Sequence, residues 1–123
     1  MRNILILFLS MLLNACAVYR YKLNSEEMKI VSRGRHSIGW VTIECSEKNI
    51  FVKFDAIEGT RCREFSLKTF SPEHFKEYLR SINGPFKFDT GVIYSVRAEP
   101  TGDATGVPIM IMLQSDGSLI KTP

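Results

Sequence analysis

Hydrophobic residues are arranged in two different ways along this chain. Ile4 to Leu13 is a nearly continuous apolar run interrupted only by Ser10, whereas from Ser37 onward apolar and polar residues alternate. In "SIGWVTIECS" Val41, Ile43 and Cys45 fall on one face of an extended chain and Ile38, Trp40 and Thr42 on the other. "SEKN" reads as a turn. "IFVKFDAI" then places Ile50, Val52, Phe54 and Ala56 inward, with Lys53 and Asp55 outward, so the two segments predict a hairpin. A further turn at "EGT" and renewed alternation through Phe65 and Leu67 extend this to a three-stranded meander. Residues 86–99 read as a strand bent at Gly91, "IMIML" as a buried strand, "SDGS" as a tight turn and "LIKT" as a closing edge strand able to pair with a partner.

One segment carries the period of a helix. Ser71 is a suitable N-cap, Pro72 fits the first helical position, and Glu73 complements the dipole of the first turn. Phe70 and Phe75 have hydrophobic-staple spacing. Phe75, Tyr78, Leu79 and Ile82 then follow at helical intervals until Gly84 and Pro85 end the element. The fold class expected is therefore α+β: an antiparallel sheet or small sandwich of five to seven strands, with one inserted amphipathic helix over 72–83.

The apolar run at the start spans about ten residues, half of the ~20 that a helix needs to cross a bilayer, and has the length of a signal-peptide core. Arg2 supplies the positive charge before it, and "LNAC", Leu13 to Cys16, follows. This tetrapeptide resembles the lipobox of bacterial lipoproteins, with Asn14 standing where that family usually carries Ala or Ser. The resemblance implies cleavage after Ala15 by signal peptidase II and acylation of Cys16. Two or three acyl chains hold a protein on a membrane where one holds it only marginally. Ala17 in place of an inner-membrane retention Asp implies the outer membrane; the resemblance does not give the face, and the domain is expected on the periplasmic side. The expected organisation is a signal peptide over 1–15, a lipidated N-terminus and tether over 16–35, and one globular domain over 36–123. Tyr19, Tyr21 and Leu23 alternate with Arg20 and Lys22, so the tether could equally begin with an edge strand. Its cations could meet anionic head groups.

Charge adds little to this picture. A net +3 on 123 residues, with acids interspersed among the bases, gives no footprint for nucleic acid. If Cys16 carries lipid, Cys45 and Cys62 remain as an even pair in an oxidising compartment and are expected to form a disulfide stabilising the fold by roughly 3 kcal/mol. The alternatives are a metal site or a catalytic thiol, yet His36 and His74 lack ligand spacing to either cysteine, so no metal and no cofactor is expected. Asp89-Thr90-Gly91 matches the aspartic-protease triplet but lies late in the chain, without a supporting hydrophobic-Gly segment, and is expected to be a turn. Glu44, Asp55, Glu58 and Glu64 are expected to face solvent. No enzymatic activity and no small-molecule substrate are expected.

A surface remains. Ile38 and Trp40, with Phe51 and Ile57 on the following strand, form a second apolar side that is either sandwich core or a partner-binding patch. The expected function is that of a lipid-anchored periplasmic accessory protein binding another envelope protein. In size and layout it is similar to pilotins of secretion systems, for which a hydrophobic groove between helix and sheet would act as a peptide clamp. The alternatives are an immunity, entry-exclusion or superinfection-exclusion lipoprotein, or a periplasmic enzyme inhibitor.

Overall fold

The computed structural model describes residues 20–100 and 107–122. Among these residues nine strands follow one another: β1 (Tyr21–Asn24), β2 (Lys29–Ser32), β3 (Trp40–Cys45), β4 (Ile50–Ala56), β5 (Glu64–Ser66), β6 (Phe75–Arg80), β7 (Ile93–Glu99), β8 (Ile109–Leu113) and β9 (Leu119–Lys121). They form two antiparallel sheets, a small one ordered β1-β2-β5 and a large one ordered β6-β4-β3-β7-β8-β9.

The alternation seen in the sequence explains the large sheet. Val41, Ile43, Val52, Tyr94, Val96 and Ile111 are fully enclosed on its inner face. Ile30 and Phe65 of the small sheet, also at 0 % exposure, close the core from the other side. Burying each such side chain contributes about 1.5–3 kcal/mol, which is the main reason the two layers stay together. Aromatic rings knit the layers at one flank. Phe65 of β5 lies 5.3 Å from Phe54 of β4 and 5.0 Å, edge to face, from Phe75 of β6. Phe70 stacks on Phe54 at 5.2 Å, and Phe86, Phe88 and Tyr94 continue the cluster.

The expected helix over 72–83 is not formed, and the fold is β rather than α+β among the described residues. The capping signal survives as one turn, in which the Ser71 carbonyl accepts hydrogen bonds from the N–H groups of His74 (3.0 Å) and Phe75 (2.9 Å). Phe75–Arg80 then pairs with β4 and closes its otherwise open edge. A lone twelve-residue helix is marginal in water, whereas pairing with β4 supplies a ladder and keeps Phe75 at 3 % exposure beneath Phe65. Chain entry also departs from N-cap geometry. Phe70 and Ser71 have φ of 62° and 43°, in the left-handed region. Such a conformation costs a non-glycine residue about 1–2 kcal/mol, offset here by the packing of the Phe70 ring among Phe54, Phe65, Phe86 and Phe88.

Two further expectations change. Residues 21–32, assigned to a tether, are a hairpin whose Ile30 lies in the core, so β1 and β2 are part of the globular unit. The segment after "EGT" does not extend the meander, because β5 pairs with β2 in the other layer and β4 takes β6 as its second neighbour. The turns are placed as expected: Asn49 is left-handed after the 3-10 turn Ser46–Lys48, and Gly91 and Gly117 both have positive φ. The signal peptide 1–15 and Cys16 lie outside the described residues.

Candidate partner-binding surface

The second apolar side divides. Ile38 precedes β3 and is 1 % exposed, its N–H bonded to the Cys62 carbonyl at 2.7 Å, so it is core and not the partner-binding residue expected. Trp40 lies on the outer face of the large sheet and is half-buried. The residue between them separates their environments. The Gly39 N–H donates to the Glu99 carbonyl at 2.7 Å, and a Cβ on Gly39 would lie 1.9 Å from the Pro100 carbonyl oxygen.

Trp40 has two partners on that outer face. Trp40 is opposite Asp55 of β4, which puts Lys53 diagonally across from it on the same face. The Lys53 Nζ lies 5.5 Å from the Trp40 ring centroid and 5.6 Å from that of Tyr78, so the ammonium is held between two aromatic rings. Each contact at such a site is worth about 0.5–1 kcal/mol. Asp55 Oδ1 approaches the same Nζ at 3.6 Å. Tyr78 reaches Lys53 through an irregularity in the ladder: Lys53 pairs with Leu79 and Phe54 with Glu77, leaving Tyr78 as the extra residue of a β-bulge. Bulges re-aim side chains in this way. Tyr78 is 66 % exposed, and neighbouring Ile57 is 42 % exposed. Asp55, Ala56, Lys76 and Glu58 complete a shallow depression of about 280 Å³ around them.

Sequence reasoning missed Lys53 and Tyr78. Lys53 had a visible signal, being a cation two positions from Asp55 on the Trp40 face of the hairpin. Tyr78 had none, because its position follows from the bulge and from a strand where the local sequence favoured a helix.

Cys45 and Cys62 are free thiols, so the expected disulfide is not made. Cys62 adjoins Ile38 at one end of β3 and Cys45 ends that strand, five residues beyond Trp40 or about 16 Å along an extended chain. A disulfide requires Cα atoms within roughly 7 Å. The other candidates are scattered. Asp89 is exposed, its carboxylate 3.3 Å from Lys48 Nζ and its N–H donating to the Tyr94 hydroxyl at 2.9 Å, within the turn that Gly91 closes. Glu64 pairs with Lys29 at 2.9 Å on the small sheet, and Glu44 faces solvent on the large one. No group of three His, Cys, Asp or Glu side chains is placed to hold a metal among the described residues.

An ionic contact ties the start of the domain to β7. Glu99 is fully buried, with Arg20 Nη1 at 3.7 Å. Tyr21 beside them donates its hydroxyl to the Ser37 carbonyl at 2.9 Å. Burial pushes the Tyr21 phenol up to about 12, with the Glu99 charge adding to the rise and Arg20 opposing it. Among the described residues no helix is long and apolar enough to cross a membrane. Comparison with protein-family models, with curated proteins and with solved structures found no match for this chain.

Proposed function

We propose that this protein is a lipid-anchored component of a bacterial outer membrane, facing the periplasm, that binds an extended segment of another envelope protein along β6. The observation that carries the reading is the bulge that turns Tyr78 onto Lys53 opposite Trp40, at the rim of a strand whose outer edge is open among the described residues. An open edge recruits a strand through backbone hydrogen bonds, and a nearby aromatic and cationic platform selects its side chains. Held between two rings, Lys53 offers a positive charge on an apolar support, which suits a segment that carries an acidic residue among apolar ones. The clamp is thus a sheet edge and not the helix-and-sheet groove expected of a pilotin-like protein, since Phe75–Arg80 is a strand. The lipobox-like Leu13–Cys16 supplies the attachment through acylated Cys16.

Two measurements test the reading. Labelled palmitate should enter the wild type and not Cys16→Ser; equal labelling removes the anchor. A photo-crosslinker at Tyr78 should trap an envelope protein in intact cells, and Lys53→Ala should weaken the trapping. The same adduct obtained with equal yield from Asp116, in the turn before β9 at the opposite edge, would remove β6 as the binding edge.

A further inference from the structure

We propose that the flank where β1 meets β8 and β9 seats the domain on the anionic head groups of the membrane that holds it. This inference rests on the lipid attachment at Cys16 proposed above.

Lys22 of β1, Arg33 after β2 and Lys121 of β9 line one depression of about 360 Å³ together with Val107 and Met110. Among the described residues its lining carries three cations and no carboxylate. Val107 is 51 % exposed and Met110 36 %, so the rim is apolar as well as basic. A basic flank with exposed apolar side chains is the combination that meets head groups and the upper acyl region together. Lys22 and Arg33 belong to the segment whose cations were expected to meet head groups, and Lys121, 99 positions from Lys22, joins them only in the folded chain.

Chain length makes this flank available to the anchor. The Arg20 carbonyl accepts the Arg33 N–H at 3.0 Å, so the chain enters the domain beside the depression. Cys16 precedes Arg20 by four residues, which reach at most about 14 Å when fully extended. An acylated Cys16 therefore keeps this flank within a Debye length or two of the lipid surface, where each Lys or Arg is attracted to anionic head groups. The charge reverses beyond Met110, where Glu44 and Glu47 border the next depression with no cation among its described lining residues. That asymmetry gives the domain one side that faces the membrane. β9 and β6 are opposite edges of the large sheet, so seating on the β9 flank leaves β6 directed away from the lipid.

The test uses the full-length Cys16→Ser chain, so that head-group attraction is measured without acylation. It is sedimented with vesicles of phosphatidylcholine alone or mixed with phosphatidylglycerol. The chain should prefer the phosphatidylglycerol vesicles, and the preference should shrink as salt is added. Lys22→Gln with Lys121→Gln should lower the partition coefficient about 30-fold, and Lys68→Gln with Lys87→Gln, which removes the same charge elsewhere, by no more than about twofold. Circular dichroism establishes that each variant is folded; if the first pair does not fold, Lys121→Gln alone should lower partitioning about fivefold. Equal losses from both pairs, or no preference for phosphatidylglycerol, overturns the proposal. So does a Lys22 and Lys121 dependence confined to an acidic protein partner. Failure of palmitate labelling in the wild type is a separate result that removes the anchor and leaves the vesicle measurement readable.

Discussion

Replacing Phe65 with alanine tests whether the three-stranded sheet covers the six-stranded one. The Phe65 ring has no exposed surface and touches rings from both sides of the layer boundary: Phe54 at 5.3 Å, Phe75 at 5.0 Å and Phe70 at 6.3 Å. Truncation removes the transfer free energy of the ring and leaves a cavity whose walls are aromatic and held by two sheets, so they collapse poorly. Phe→Ala changes at such sites cost about 3–5 kcal/mol. For a domain of this size each kcal/mol lowers the melting temperature by about 4–8 °C, which predicts a fall of at least about 12 °C. The assay is thermal and urea denaturation followed by circular dichroism, with Phe51→Ala on the half-buried outer position of β4 as a companion. The Phe51 variant should lose less than half as much. A Phe65→Ala loss below about 1 kcal/mol would show that the ring is not enclosed, and the packing of β5 on the large sheet would be wrong.

Other changes probe other parts of the structure. Gly39→Ala should destabilise by at least about 2 kcal/mol, because the new methyl meets the Pro100 carbonyl and forces apart the Gly39 to Glu99 hydrogen bond; unchanged urea denaturation would refute that close approach. The Tyr21 phenol, at about 12 in the folded state against 10.0 unfolded, makes the unfolded chain the better proton donor between those values. Stability should hold below pH 10 and fall as pH rises from 10 to 12, and Tyr21→Phe should flatten that fall; an equally steep fall in the variant would exclude Tyr21 as its cause. Thiol titration under non-denaturing, oxidising conditions should modify partly exposed Cys62 before buried Cys45, with no internal disulfide in the mass spectrum; a mass loss matching one bridge would refute the separation of the two thiols.

Alternation along the sequence was sufficient to place most strands, because period two is a local property and one face of each strand had to be buried. Val41, Ile43, Val52 and Phe54 were legible as inward residues for that reason, and Gly91 and Gly117 as turns. The candidate surface was legible only in part. Trp40 was visible with Ile38 on a second apolar side open to either core or partner, and the structure splits the pair: Ile38 belongs to the interior, since Gly39 is pressed against Pro100 and the parity argument fails before the strand begins.

By itself, then, the sequence determined the alternating strands and turns, which depend on neighbours within a few positions. Tertiary structure alone decided which sheet each strand joins, that Phe75–Arg80 extends along β4 where capping signals favoured a helix, and that Cys45 and Cys62 lie at opposite ends of β3. The physical reason is the same in each case. A local preference of a few tenths of a kcal/mol per residue yields to the burial of Phe75 and the satisfaction of an open sheet edge, and those terms exist only once the partner strand is in place.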